Sequence, residues 1–289
     1  LYSMMNYADI VLGTWYPMGG MYKIVEAMVN VAKEQGVKFL LNETVTKIIV
    51  KDNSACGVIS NGKEYPADVV ISAADYHHTE QHLLEDSNRN YSTSYWKKRK
   101  MAPSCLMYYL GINKRLTGLE HHNLFFDAPF DLHAEEIYDR PQWPKNPLFY
   151  STCAAITDSS VAPEGMENLV LLIPIAVDIE DTEEIREKYY QIMMDRLENL
   201  TGQKIREHVI VKKSYAINDF KKDYNSFGGN AYGLANTLMQ TAFLKPSLKN
   251  KKVKNLYYAG QLTVPGPGVP PSIISGQVAA REIIKEAGL

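Results

Sequence analysis

The sequence predicts a mixed α/β fold, and three observations predict it. Residues 45–65 read as a β-meander, residues 182–200 as a long amphipathic helix, and residues 255–287 as a strand, a glycine-rich loop and a helix. Composition agrees, because the 289 residues are 45% hydrophobic and 22% charged. Such a balance suits a globular chain with a sizeable core, and the length is enough for two compact domains.

The elements follow in order. Tyr16-Pro17-Met18-Gly19-Gly20 is a turn, and Ile24, Ala27, Met28 and Val31 then recur at helical spacing. Gly36 stands where a glycine ends such a helix, and Val37 to Leu41 is a short apolar strand. Val45 to Val50 alternates, Lys51-Asp52-Asn53 turns, and Ala55 to Ser60 returns. Asn61-Gly62 is a strong hairpin signal, since both turn positions need φ > 0; Lys63 to Tyr65 completes the meander. Ala67 to Ala74 reads as a buried strand ending in small residues, which let a ligand approach the backbone.

A polar helical stretch, Thr79 to Asn90, leads to the basic run Lys97-Lys98-Arg99-Lys100. That run reads first as a solvated helix end, and second as a contact for anionic lipid headgroups. Strands follow at Ser104 to Ile112, Leu148 to Ala154, Asn168 to Ala176 and Val209 to Tyr215. The helix Thr182 to Leu200 places Ile185, Tyr189, Ile192, Met193 and Leu197 on one face. Tyr108, Tyr109, Phe125, Phe126, Phe149 and Phe227 either fill a core or line an apolar channel. Gly228-Gly229 and Gly233 mark a loop.

The chain closes on the strand Asn255 to Ala259, the loop Gly260 to Pro271 and a helix from Ser272 to about Ala287. A strand, a glycine-rich loop and a helix N-terminus together suit an anionic or electron-rich group, because free N–H groups and the helix dipole face it. Pro270 or Pro271 fits the first helical turn. Gly266 and Gly268 lack a Cβ, so a flat ligand can lie on the backbone.

Several classes are disfavoured. The formal net charge of −2 gives no global drive towards nucleic acid. Cys56, Cys105 and Cys153 are dispersed, which argues against a disulfide framework or structural zinc and fits a reducing cytoplasm. No apolar run approaches the roughly 18 residues of a membrane span, and Leu169 to Val177 is interrupted by Pro174. The N-terminus lacks the pattern of a signal peptide; it begins without Met in what reads as mid-helix, which suggests a fragment. His77 and His78 read as helix-start residues, Asp75 as an N-cap, and Asp158 and Glu164 as loop-ordering residues.

The C-terminal motif Asn255-Leu256-Tyr257-Tyr258-Ala259-Gly260, with Thr263, Pro265-Gly266, Gly268-Val269-Pro270 and Ser275, resembles the signature of the bacterial phytoene desaturase (carotenoid desaturase) family. Three further stretches match in order: Gly13 to Gly20, Ala74 to Thr79, and Thr157 to Gly165. The resemblance covers essentially the whole chain. It implies part of a glutathione-reductase-like FAD domain interleaved with a substrate domain of mixed sheet and helices. Residues 1–22 and 79–250 would form the substrate domain; residues 23–78 and 251–289 would belong to the FAD domain. It also implies cofactor contacts at Val45, Ala73, Ala74, Gly260, Gly268, Val269, Pro270, Ser272 and Ile273, and a helix dipole near Ser272 that favours negative charge on the flavin's pyrimidine edge.

Gln261, Leu262, Val264 and Pro271 depart from the smaller residues common in that loop. The GxGxxG fingerprint is absent from the 289 residues, so the resemblance implies a missing N-terminal segment of the same protein. The expected activity is FAD-dependent desaturation of a long isoprenoid such as phytoene, by hydride transfer to flavin. The expected partners are an apolar polyene and, peripherally, the inner membrane face; nucleic acid is not among them. The alternatives are a non-catalytic fragment without bound FAD, a carotenoid isomerase or retinol saturase on the same scaffold, and, less favoured, an amine-oxidase-like flavoprotein.

Overall fold

The computed structural model describes residues 7–288. Its first long element is helix α1, Tyr22–Glu34. Gly36 ends it at φ 82°, and the Val37 N–H reaches back to the Ala32 carbonyl at 3.0 Å, the glycine-terminated stop that the sequence suggests. Val37 to Leu41 forms no strand, and Val37, Phe39, Leu40 and Leu41 are exposed. A strand needs a neighbour for its N–H and C=O groups, and none of the described residues pairs with this segment.

The meander consists of β1 (Val45–Lys51), β2 (Ser54–Ser60) and β3 (Lys63–Pro66). Both turns are local in origin. Asp52 and Asn53 take φ 48° and 57°, and Asn61 and Gly62 take 47° and 75°, the left-handed pairs of tight hairpins. The next strand, β4, is Val70–Ser72, much shorter than the Ala67 to Ala74 reading. A short helix, α2 (Tyr76–His78), follows and continues as a wide turn, Thr79–Leu83. Asp75 caps it, accepting the His78 N–H at 2.9 Å. Helix α3, Thr93–Lys97, ends in the basic run. There Arg99 lies over the Tyr95 ring, Lys100 pairs with Asp139 at 3.0 Å, and Lys97 and Lys98 are exposed.

The large antiparallel sheet has the order β6-β7-β8-β5-β9. Its strands are β5 (Ser104–Ile112), β6 (His122–Phe125), β7 (Phe149–Thr152), β8 (Glu167–Ile175) and β9 (Val209–Tyr215). Helix α4, Phe130–Tyr138, joins β6 to β7. Helix α5, Glu183–Thr201, is capped by Thr182 and ended by Gly202 in the left-handed conformation. In β8 the alternate residues Leu169, Leu171, Ile173 and Ile175 are fully buried, and they share a core with Met193, Met194 and Leu197 of α5. The period of two along the strand and of 3.6 along the helix bring these faces together.

The opposite face of the sheet is also apolar. Pairing aligns Leu124, Tyr150, Leu172, Met107 and Tyr215 across the five strands. The six aromatics therefore split. Tyr108 and Phe149 are core, Phe125 packs against the core, Tyr109 and Phe126 are exposed, and Phe227 belongs to a second cluster.

After β9 comes helix α6, Ile217–Tyr224. Strand β10, Leu256–Tyr258, then pairs in parallel with β4, and helix α7, Val269–Ala287, ends the described chain. A second core holds β10 in place. Tyr258 donates to the fully buried Glu80 at 2.5 Å and stacks on Tyr76 with ring centres 4.0 Å apart. The other Glu80 oxygen accepts the Tyr91 N–H at 2.8 Å, and Asn250 donates to the Tyr258 hydroxyl. Burial raises the Glu80 pKa, and these hydrogen bonds oppose the rise.

Candidate functional site

The parallel pairing of β4 with β10 places two distant chain segments side by side. Their C-terminal ends open into a cleft of about 730 Å³. One wall is Ala73, Ala74 and Asp75, just beyond β4. The second is Gly260, Gln261 and Leu262, just beyond β10, with Ser272, Ile273 and Gly276 of α7. Met28 of α1 and Phe220, Asp223 and Tyr224 of α6 and Asn225, Asn230 and Ala231 close the remaining sides. A ligand crevice beyond the carboxyl ends of parallel strands is what α/β architecture produces.

Local chemistry shapes the loop between β10 and α7. Gly260 has φ 109°, and a methyl group built on it would stand 3.8 Å from the Ala73 carbonyl oxygen. Its N–H donates to Ser275 Oγ at 2.7 Å, and that hydroxyl donates to the Ser272 carbonyl at 2.6 Å. Thr263 donates to the Gly260 carbonyl at 2.8 Å. Buried Ser275 thus ties the loop to the first turns of α7, and buried Thr263 closes the loop on itself.

Of the residues expected at a cofactor, Ala73, Ala74, Gly260, Ser272 and Ile273 line the cleft. Val45 is half-buried at the start of β1, away from it, and Gly268, Val269 and Pro270 are exposed at the start of α7. Helix α7 begins three residues earlier than the sequence pattern suggests, at Val269 with Gly268 as N-cap. This corrects one expectation. Residues Gly268 to Pro271 should supply the four free N–H groups of the helix start, but Pro270 and Pro271 have none, so two donors are lost.

Two other stretches singled out in the sequence meet away from the cleft. Asp158 Oδ2 accepts the Gly19 N–H at 2.5 Å, and Asp158 Oδ1 accepts from Ser160 N–H and hydroxyl. Asp158 orders both loops, as its position suggests. His77 stacks on Phe227 with ring centres 4.0 Å apart. Burial, followed by neighbouring His82 and His78, lowers its pKa to about 4, so it is neutral at pH 7.

Sequence reasoning did not single out Asn230, Tyr224 or Met28 as cleft residues. Nor did it find a role for Asp75 beyond capping. Asp75 lines the cleft, and its second oxygen accepts the Phe227 N–H at 3.3 Å. Burial pushes its pKa up to about 6 despite these hydrogen bonds. The folded protein then holds this proton between about pH 4 and 6 while the unfolded chain has released it. The contribution is fully present below the unfolded value and is lost as pH rises through the folded one. Wild type is therefore expected to lose stability relative to Asp75→Asn across that window, by at most about 1.4 kcal/mol per pH unit. Urea unfolding of both proteins from pH 4 to 7 measures this; parallel curves would exclude it.

Comparison with known proteins adds the family. The sequence profile described as "Flavin containing amine oxidoreductase" matches residues 1–284. The chain belongs to this family. Among curated relatives of this flavin-containing family, the carotenoid 3,4-desaturase of Haloarcula japonica is 37% identical over 287 residues, which are 99% of this chain and 58% of that protein. The phytoene desaturase of Fusarium fujikuroi is 29% identical, covering 99% of this chain and 54% of that protein. The chain thus spans about half the length of the curated relatives it matches. Solved structures agree on the fold. An oxidoreductase from Methanosarcina mazei superposes with a TM-score of 0.64 at 17% identity, covering 92% of this chain and 55% of that one. Cyclohexylamine oxidase from Brevibacterium oxydans gives 0.56 at 13% identity, covering 93% and 53%.

Membership implies a flavin, FAD, and the cleft fits its ring end. Gly260 and Gly276 carry no side chain, Ala73 and Ala74 carry only a methyl, and the start of α7 adds its dipole. No helix among the described residues is long and apolar enough to cross a membrane.

Proposed function

We propose that this chain is the larger part of an FAD-dependent desaturase acting on a long isoprenoid polyene such as phytoene. The observation that supports this best is the chemistry of the cleft. Most of its exposed lining is apolar, from residues such as Ala73, Ala74, Met28, Phe220 and Leu262, with neutral polar residues such as Asn230 and Gln261 among them, and both carboxylates on it are already engaged. Asp75 is held by the backbone at His78 and Phe227, and Asp223 accepts the Tyr215 hydroxyl at 3.0 Å. Such a site suits an unactivated hydrocarbon, which offers nothing to hydrogen-bond. FAD would supply the hydride acceptor when bound. The chain's own residues would hold the substrate and exclude water, with the Leu124–Tyr150–Leu172–Met107 face of the sheet as apolar surface. The names of the desaturase relatives point the same way.

The proposal includes a covering segment. Val25, Met28 and Val31 of α1 and Phe39, Leu40 and Leu41 are exposed, and among the described residues β4 and β10 form a sheet of two strands. An apolar surface of this kind fits a partner, here the dinucleotide-binding segment that the resemblance implies. The polyene itself would come from a membrane, with exposed Lys97 and Lys98 able to face its cytoplasmic surface.

The test uses the full-length protein with FAD and phytoene-loaded liposomes. The expected result is new absorbance at longer wavelength together with products that have lost hydrogen in pairs. Longer-wavelength bands without hydrogen loss would instead mark an isomerase. No spectral change under oxidising conditions would overturn the desaturase reading.

A further inference from the structure

Three large apolar side chains stand almost fully in the open on one short loop. Leu238 is 88% exposed, Met239 72% and Phe243 90%. They sit on two consecutive turns, Leu238–Gln240 and Ala242–Leu244. Between them Gln240 is buried and fixes the base of the loop. Its side chain accepts the Lys100 N–H at 3.0 Å and donates to the Lys100 carbonyl at 2.8 Å and the Ala235 carbonyl at 3.2 Å. The apolar loop is therefore anchored directly on the basic run Lys97 to Lys100.

The charge beside the loop is mostly of one sign. Lys97 and Lys98 are exposed, and the Arg99 guanidinium lies 4.4 Å from the Tyr95 ring centre. Tyr95 stacks on Tyr91 at 4.3 Å, and Lys251 Nζ lies 5.9 Å from the Tyr91 ring centre. These rings join Lys251 to the basic run. Residues 225–281 contain Lys245, Lys249, Lys251, Lys252, Lys254 and Arg281 but no Asp or Glu. Two carboxylates pair at the margins, Asp139 with Lys100 and Glu286 with Lys249. Lys97, Lys98 and Lys251 have no ion pair among the described residues. An apolar tip flanked by such cations matches a bilayer with anionic headgroups, because the tip can enter the acyl boundary while the ammonium groups stay among the headgroups. Lysines spread over this width suit a surface of many mobile anions.

We propose that the 238–244 loop docks the protein on an anionic bilayer, with Leu238, Met239 and Phe243 entering the lipid and Lys97, Lys98 and Lys251 holding its headgroups. A cavity of about 470 Å³ lies at the base of the loop, lined by Lys100, Tyr138, Tyr232, Thr237 and Pro267 among others. Tyr232 lines this cavity and its neighbour Ala231 lines the cleft, so the two hollows meet the same backbone segment. A part in polyene delivery rests on the proposed function; the docking itself does not.

The full-length protein is sedimented with sucrose-loaded vesicles of phosphatidylcholine, with or without phosphatidylserine. Wild type is expected to bind the phosphatidylserine vesicles, and more weakly as salt is raised. The triple variant Lys97→Gln, Lys98→Gln and Lys251→Gln should bind them roughly a hundredfold more weakly. The triple variant Leu238→Ser, Met239→Ser and Phe243→Ser should lose at least about tenfold. Both variants should melt as wild type does without vesicles, because the replaced side chains are exposed. Wild type left in the supernatant, or variants that bind as wild type does, would overturn the proposal. So would a serine variant that melts lower than wild type, which would show that another part of the chain covers the loop. Self-association of wild type that the serine variant loses would assign the loop to a second copy and overturn it as well. Vesicle binding is read without polyene or turnover, so its failure is distinct from a failure of the desaturase assay.

Discussion

Replacing Arg186 with Met is expected to cost about 3–5 kcal/mol of folding stability, the range for removing one partner from a buried ion pair. Arg186 stands near the start of α5 and is 7% exposed. Its Nε and one terminal nitrogen each reach an Asp181 oxygen at 2.7 Å, the two-pronged geometry that makes such pairs strong. The guanidinium also reaches Asp219 at 2.8 Å and Ser214 Oγ at 3.1 Å. Asp181 accepts the Asn218 N–H as well, at 2.9 Å. One arginine therefore joins α5, the end of β9 and the start of α6, the helix that forms a wall of the cleft. Removing it strands the Asp181 carboxylate, whose side chain is 1% exposed. The double variant Arg186→Met with Asp181→Leu should recover much of the loss, since the buried Asp181 charge is then gone and the carboxylate that still loses its partner, Asp219, is 31% exposed. Urea unfolding of the single and double variants is the measurement. A single-variant loss below about 1 kcal/mol would show that the pair is worth no more than one on the surface.

Gly260→Val is expected to leave the fold standing and to weaken flavin binding by roughly five- to a hundredfold. Gly260 adopts φ 109°, a region closed to branched side chains. Forcing such a residue into it costs roughly 1–3 kcal/mol, and each 1.4 kcal/mol corresponds to about tenfold in affinity. The Cβ itself has room, 3.8 Å from Ala73 O, so the local sheet should survive. Relaxing the strain would disturb the Gly260–Ser275 hydrogen bond that ties the loop to α7. The valine methyls would also stand in the wall of the cleft. Titration of flavin-free protein with FAD, followed by flavin fluorescence, measures the affinity, and far-ultraviolet circular dichroism monitors the fold. Undiminished affinity would separate Gly260 from the flavin site.

Much of the architecture was legible because its causes are local. Strand β9 has the boundaries that its pattern implies, Val209 to Tyr215. The Asn61-Gly62 turn and the Gly36 helix stop are set by residues that tolerate positive φ. Other elements carry little local signal. Strand β6 is only four residues long, and helices α4 and α6 have nine and eight. Such elements owe their order to packing more than to propensity. Val37 to Leu41 shows the converse: its apolar residues read as a strand, yet a strand exists only when another chain segment accepts its hydrogen bonds.

The site divides in the same way. Of the residues that the family resemblance names, Ala73, Ala74, Gly260, Ser272 and Ile273 come together on the cleft, whereas Val45, Gly268, Val269 and Pro270 do not line it. Asp75, Asn230 and Tyr224 were not legible as cleft residues, because nothing in their neighbours' spacing reports burial or company. By itself, the sequence determined the turns, the helix stops, the apolar run of β8 and the family likeness, all written in short-range residue order. Only the tertiary structure decided that Ala73 meets Gly260 across the β4–β10 pair, and that the Lys245 side chain is enclosed behind Gly266 with no acceptor among the described residues. Contacts between residues far apart in the chain depend on which surfaces exclude water together, and no local pattern encodes that.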